Sequence, residues 1–252
     1  MPEKIVSRSN PLVRHLRSLA ASGDYRRTEK QFLCDSPKLL EEALRAGADV
    51  SAVVCTDPGL LPSLPENAKS VVVSESVMEA VSPAKTPQGV LCVCALPDTA
   101  PPSLLEGRRY VVLDGVQDPG NVGTVLRTAD AFGADGLFLL PGCADPFSPK
   151  TVRASMGAVF RCPVWQCGAE ELKDLLKRSG IALYGAALRE DTADARSVSY
   201  DRAAIAIGSE GRGLSRKVLE LCDATVRIPM EPRCESLNAA IAAAVLLWEA
   251  YR

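Results

Sequence analysis

Histidine is nearly absent from this chain: His15 is the only one in 252 residues. With no second histidine and no Cys-x-x-Cys pair, an ordinary zinc ligand set is missing, and no metal is expected. A Ser-His-Asp triad would have to use His15, which lies in a basic N-terminal stretch far from every glycine-rich loop. No apolar run reaches the ~18 residues of a membrane span, so no transmembrane helix is expected. The opening residues Met1-Pro-Glu-Lys carry no apolar signal core, and a cytoplasmic location is expected. There is no internal repeat and no low-complexity tail. Charge of one sign is also lacking: the formal net charge is −2, so the total does not advertise nucleic-acid binding.

What is present is enough apolar material for a substantial core, at 47% of residues. The length suits two ordinary domains or one large one. The nine cysteines read as reduced, mostly buried thiols, with Cys92-Val-Cys94 too tight for a metal pair and spaced like alternate positions on a strand. Charge is unevenly spread. Residues 1–30 hold seven Lys and Arg against three acids, a surplus of four. Such a patch suits phosphate contact; a merely solvated basic helix is the alternative.

Along the chain, a small α/β unit comes first. A helix is expected over Pro11–Leu19, a strand at Phe32–Cys34 and a helix at Pro37–Ala46 that ends at Gly47. β-rich runs follow at Val53-Val54, Val71–Val73 and Val90–Ala95. The proline-rich stretch Pro97–Ser103 marks a boundary. Domains are therefore expected at 1–96 and 110–252, with 97–109 as linker. The second part alternates apolar strands with helices. Strands are expected at Tyr110–Asp114, Gly136–Leu140, Val159–Val164, Ile181–Ala187, Ala203–Ile207 and Ala224–Ile228. Helices are expected at Asn121–Phe132, near Thr151–Met156, and at Glu170–Ser179, Leu214–Leu221 and Leu237–Tyr251. This pattern indicates an α/β fold with a mostly parallel sheet covered on both faces. Its ligands belong in the loops beyond the carboxyl ends of the strands.

Three segments carry candidate chemistry. In the first, Asn121-Val-Gly-Thr-Val-Leu-Arg127, Asn121 is a plausible N-cap after the Pro119-Gly120 break. Val122, Val125, Leu126, Ala129 and Phe132 form the buried stripe, and at ~100° per residue Arg127 lies roughly 160° from its centre. A solvated surface arginine is the plain alternative to a cation aimed at an anionic group. In the second, a buried strand runs into Gly208-Ser-Glu210-Gly211-Arg-Gly213. The glycines let backbone approach a ligand, or simply make a tight β–α turn. In the third, Ile228-Pro-Met230 precedes Ser236-Leu237-Asn238 and an alanine-rich helix. Ser236 is a plausible cap there, and Ile228 and Met230 would line an apolar slot. The many alanines allow close packing within the chain or across a dimer seam.

In this order, the three segments resemble the N-x-G-x-x-x-R, G-x-E-G-x-G and I-P-M…S-L-N motifs of the SpoU branch of the SPOUT superfamily of RNA methyltransferases. The resemblance covers 110–252. Ser7-Arg8-Ser9-Asn10-Pro11 and Phe32-Leu-Cys-Asp-Ser36-Pro37-Lys38 are similar, more loosely, to that family's ribosomal-protein-like substrate-recognition domain. Ser36 stands where a glycine is usual, and Ala239-Ala240 where many members have Val-Ser or Val-Ala.

The resemblance implies a trefoil-knotted C-terminal domain and transfer of a methyl group from S-adenosylmethionine to a ribose 2′-hydroxyl of a structured RNA, ribosomal rather than transfer. It implies Arg127 at the reacting centre, clamping a phosphate rather than acting as base, since guanidinium keeps its proton. Glu210 would orient Arg127, and Asn121, Ser236 and Asn238 would complete the polar shell. Gly208, Ile228, Leu237, Met230 and Ala187 would hold the cofactor. Arg8, Asn10, Arg14 and Arg153 are the candidates for RNA contact. A homodimer through the C-terminal domain is implied, with Arg127 working across its seam. A base-nitrogen methyltransferase, a transfer RNA target and a non-catalytic RNA-binding paralogue are the alternatives.

Overall fold

The computed structural model describes residues 4–66, 68–189, 191–231, 233–234 and 236–252. Glu3 of the N-terminal charge count and Pro232 and Glu235 of the third segment lie outside them. The chain forms two compact units. The first takes residues up to Pro97 together with Phe147–Phe160, and the second takes Asp98–Pro146 with Arg161–Arg252. No helix among the described residues is long and apolar enough to cross a membrane.

The first unit opens with α1 (Pro11–Ala21), where Asn10 Oδ1 accepts from the Leu12 amide at 2.9 Å and Pro11 occupies the first turn. Val13, Leu16 and Leu19 repeat every three residues and are buried. There follow α2 (Gly23–Glu29), β1 (Gln31–Asp35), α3 (Pro37–Arg45), β2 (Val50–Cys55), β3 (Lys69–Val72), α4 (Glu75–Val81) and β4 (Val90–Ala95). The sequence pattern does not predict α2 or α4. Each spans seven residues and is started by a serine cap, Ser22 or Ser74. The sheet order is β1-β4-β2-β3, with β4 antiparallel to β1 and β2. Cys92 and Cys94 share one face of β4 with Cys34 of β1, and their sulfurs lie within 4.8 Å of one another. Burial, foremost, pushes the Cys34 thiol above its ordinary range.

The second unit begins with β5 (Arg109–Asp114), α5 (Pro119–Ala131) and β6 (Gly136–Leu139). The chain then supplies α6 (Pro149–Ser155) to the first unit, where Phe147 and Phe160 meet Phe32 at ring distances of 5.2 and 5.9 Å. The strand expected at Val159–Val164 is instead a 3-10 turn, Ala158–Phe160, followed by β7 (Val164–Gln166). An apolar run this short is ambiguous by periodicity alone. Then come α7 (Ala169–Ser179), β8 (Ala182–Ala186), β9 (Ala193–Asp194), β10 (Ala203–Gly208), α8 (Arg216–Leu221), β11 (Ala224–Arg227) and α9 (Ala239–Tyr251).

The seven-stranded sheet has the order β7-β6-β5-β10-β8-β11-β9, and every pairing is parallel. Its central strands, β5 and β10, are almost wholly buried, as expected for a parallel sheet with helices on both faces. On one face Tyr110, Val112, Ala204 and Ala206 pack with Leu172, Leu176, Leu214 and Val218. On the other, α9 lies against β10 and α5.

Two helix starts differ from expectation, and both differences matter. Asp118, not Asn121, caps α5: its carboxylate accepts from the Asn121 amide at 3.0 Å, with Pro119 opening the helix. Asn238, not Ser236, caps α9, accepting from Ala240 and Ile241 at 2.9 and 3.2 Å. Asp118 stands directly before Pro119, whereas Asn121 is already inside α5, and Asn238 stands directly before Ala239, two residues nearer the helix than Ser236, so each reaches the free N–H groups of its first turn.

Candidate active site

At the carboxyl ends of β8, β10 and β11 lies a cleft of about 260 Å³. Its placement follows from the parallel sheet: strand ends diverge there and leave backbone and loops free to meet a ligand. The last residues of the strands, Ala186, Ile207, Gly208 and Arg227, form its base. Met230, Ser236, Leu237 and the α9 residues Ala239, Ala242 and Leu246 form the opposite wall. All five residues expected to hold the cofactor, Gly208, Ile228, Leu237, Met230 and Ala187, line this one cleft. Leu188, Ser209 and Ala242 line it too and were not expected. Ala242 carries no local signal, because its helix has apolar residues on every face before Glu249.

Gly208 reaches the cleft for a different reason than the motif suggests. A Cβ placed on it would lie 2.0 Å from the Gly213 carbonyl carbon and 2.2 Å from both the Gly213 oxygen and the Leu214 nitrogen. The missing side chain therefore makes room for the returning loop, not for a ligand. The loop closes on itself through Ser209 N–H to Gly213 O at 3.1 Å and Gly213 N–H to Ser209 O at 2.8 Å. Gly213 is in the left-handed region, at φ 64°, which a glycine adopts without strain.

Three of the five expected polar-shell residues form one chain of side-chain hydrogen bonds. Asn238, while capping α9, donates from Nδ2 to Asn121 Oδ1 at 3.2 Å. Asn121 in turn donates from Nδ2 to Glu210 Oε1. Because Asp118 does the capping of α5, the Asn121 amide is left to bridge the second and third segments. Ser236 lines the cleft but stands outside that chain. The expected Glu210–Arg127 contact is replaced by Glu210–Asn121. Arg127 is exposed on α5, does not line the cleft, and makes no ion pair or side-chain hydrogen bond among the described residues. An acidic side chain on a glycine-rich loop reaches whichever donor its own loop brings near, and register along α5 puts Asn121 there.

One surface near this region is apolar without being buried. On α9, Ile241 is 53% exposed, Val245 40% and Trp248 54%. Trp248 and Tyr251 stack with each other, and Phe132 at the end of α5 meets Trp248 edge-on and Tyr251 at a tilt, with centroids 5.7 to 6.4 Å apart. The small residues Ala239, Ala240 and Ala243 face inward and are buried within the chain. Their smallness serves the packing of α9 on β10 and α5. These alanines thus serve packing within the chain, and the outward face carries Ile241, Val245 and Trp248.

The candidate RNA-contact residues lie in the first unit. Arg8 and Arg14 are exposed, and Asn10 is partly occupied as the cap of α1. Arg153 is half exposed and pairs with Asp35, with Nε to Oδ1 at 3.3 Å. Burial raises Asp35 above the usual carboxylate value and Arg153 opposes that rise. Not all of the N-terminal positive surplus reaches the surface: Arg26 is buried and gives its guanidinium to the Leu19 carbonyl at 2.5 Å. His15 is held between Tyr25 Oη at 2.9 Å and Gln31 Oε1 at 3.0 Å.

Comparison with known proteins agrees with this geometry. Residues 108–248 match the SpoU rRNA Methylase family, and residues 10–92 match the MRM3-like substrate binding domain. The chain is 34% identical to the 23S rRNA (guanosine(2553)-2′-O)-methyltransferase RlmP of Bacillus subtilis, over 98% of each protein. Among solved structures, a TrmH-family RNA methyltransferase described as putative, from Porphyromonas gingivalis, superposes with a TM-score of 0.86 at 37% identity, covering 96% of this chain and 97% of that one. An AdoMet-bound rRNA methyltransferase from Sinorhizobium meliloti superposes with a TM-score of 0.87 at 31% identity, covering 98% and 97%. With its parallel sheet, its cleft at the strand ends and its separate N-terminal substrate-binding domain, the chain belongs to the SpoU family of S-adenosylmethionine-dependent RNA methyltransferases.

Proposed function

We propose that this chain methylates a ribose 2′-hydroxyl in ribosomal RNA, acting as a homodimer. The observation that carries the reading is the junction of the strand-end cleft with the Glu210–Asn121–Asn238 chain of hydrogen bonds, which ties all three motif segments to one place. The full-length likeness to a ribose methyltransferase acting on a guanosine of 23S rRNA supports ribose over base, and makes such a guanosine the first target to test.

The cleft fits S-adenosylmethionine by its chemistry. Ala187, Ile228, Met230 and Leu237 offer apolar walls to an adenine ring, and the backbone of 208–213 offers polar groups beside them. When bound, the cofactor supplies an electrophilic methyl group. The chain's own task is to bring a ribose oxygen into line with it. Arg127 binds the phosphate next to the reacting ribose and stabilises negative charge that develops on the oxygen. Its guanidinium keeps its proton, so the hydroxyl proton leaves to the RNA phosphate or to water. Glu210 fixes Asn121, and through Asn238 the start of α9, so that the cleft wall and the first-motif helix keep one spacing.

Arg127 stands off the cleft of its own chain, and α9 with the end of α5 exposes an aromatic face. Pairing two copies through that face would bury Val245 and Trp248 and set each Arg127 beside the other copy's cleft. The first unit contributes RNA affinity through Arg8, just before α1, and Arg14 on it, with Asn10 capping that helix.

The decisive test is transfer of a labelled methyl group by purified protein to total RNA, followed by nucleoside digestion and mass spectrometry. A 2′-O-methylnucleoside confined to ribosomal RNA is expected. A base-methylated nucleoside, or label only in transfer RNA, overturns the reading.

A further inference from the structure

We infer that Asp114 is a positioning residue for the cofactor cleft, holding the glycine-rich loop from beneath; this rests on the reading that the cleft takes S-adenosylmethionine. Asp114 ends β5 in the register position beside Gly208 of β10 and is only 9% exposed. A carboxylate closing a buried apolar strand needs a partner. It finds one 101 residues later in sequence, where Oδ2 accepts the Ser215 amide at 2.6 Å.

That bond sits two residues beyond Gly213, at the exit of the loop that floors the cleft. The entrance of the loop is fixed by β10 and its neck by the Ser209–Gly213 backbone pair. Its exit is held by two anchors: the Leu214 side chain in the core, and Ser215 on Asp114. Between these points Glu210, Gly211, Arg212 and Gly213 are exposed, with Glu210 held to Asn121. The anchors thus set the position from which Glu210 reaches Asn121. A backbone N–H held by a buried carboxylate at the loop's exit fixes where the loop can sit.

Titration calorimetry of the full chain with S-adenosylmethionine tests this. Asp114→Ala should weaken cofactor binding about tenfold or more. Asp114→Asn, which keeps an acceptor oxygen without charge, should recover most of that loss. Ser215→Pro removes the N–H donor at a residue whose φ of −63° already suits proline; against a Ser215→Ala control it should weaken binding to a similar extent. Combining Asp114→Ala with Ser215→Pro should then add little. Hydrogen exchange of the peptide covering 209–215 should speed up in each weakened variant. A dissociation constant for Asp114→Ala within twofold of the parent, or fully additive losses in the double variant, overturns the proposal. If Asp114→Ala does not fold, the Ser215→Pro and Asp114→Asn comparisons decide. Failure of the parent chain itself to bind the cofactor would refute the cleft reading and not the anchor.

Discussion

The glycines of the 208–213 loop have three separable jobs, and substituting each by alanine should produce three graded effects. At Gly208 the new methyl would lie 2.0 Å from the Gly213 carbonyl carbon, whereas ordinary Cβ contacts begin near 3.4 Å. The obstacle is backbone, so Gly213 and Leu214 must retreat by about 1.4 Å. Such a shift breaks the Ser209–Gly213 pair, now 3.1 and 2.8 Å. Two hydrogen bonds at about 0.5–1.5 kcal/mol each, plus overpacking of about 1–3 kcal/mol, give a displacement costing about 3 kcal/mol or more. Since the loop floors the cleft, that corresponds to roughly a hundredfold loss of cofactor affinity. At Gly213 there is open space but a left-handed backbone, φ 64°. An alanine there costs about 1–2 kcal/mol and should weaken binding five- to thirtyfold. At Gly211 there is open space and no left-handed φ, so Gly211→Ala should bind within twofold of the parent. Calorimetric titration with the cofactor, with circular dichroism as a check on folding, reads all three. Binding by Gly208→Ala within threefold of the parent would refute the argument, as would a loss at Gly211 equal to that at Gly208.

Arg127→Ala should lower turnover more than tenfold, over ~1.4 kcal/mol of barrier, while leaving cofactor affinity unchanged; single-turnover methylation beside calorimetry checks both. Val245→Asp combined with Trp248→Glu should yield a monomer by sedimentation with near-native circular dichroism and no activity; an active monomer refutes the seam, and Ala243, buried within the chain, is the wrong place to probe it. Replacing Arg8 and Arg14 by Gln should weaken RNA binding and flatten its dependence on salt; an unchanged slope means these exposed arginines face only solvent. Arg153→Leu should leave Asp35 buried without its counter-charge and raise its carboxyl further. A carboxyl whose folded value exceeds its unfolded one stabilises most at low pH and loses that contribution as pH rises through the folded value. The variant should therefore be less stable than the parent at neutral pH, by about 1–3 kcal/mol given the partial exposure of Arg153. Denaturant titrations should show the deficit narrowing as the pH falls, and a deficit that widens instead refutes the assignment.

Much of the site is legible in the order of residues. The apolar runs Tyr110–Asp114 and Ala203–Ile207 announce buried parallel strands, because only strands covered on both faces lack a polar alternation. Gly208, Ile228, Met230 and Leu237 follow strand ends or precede a helix, and that is where such sheets bind ligands. The likeness of three spaced motifs extends the reading to chemistry. Helix caps were less legible: Asp118 and Asn121 are both good caps, as are Ser236 and Asn238, and only backbone geometry chooses between them. The short helices α2 and α4 are less legible than α6 and α8, which alternate with the strands of a parallel sheet.

The sequence by itself thus determined the elements, the strand ends at which a ligand belongs, and the residues available there, since periodicity and turn chemistry are local. Only the tertiary structure decided which side chains meet. It joined Glu210 to Asn121 rather than to Arg127, gave the Gly208 space to the loop and not to a ligand, and turned the alanines of α9 inward and its aromatics outward. It also seated Ser215 on Asp114 across 101 residues. Contacts of that separation depend on strand register and on the rotation of each helix about its axis, and neither quantity is written in any local stretch of the chain.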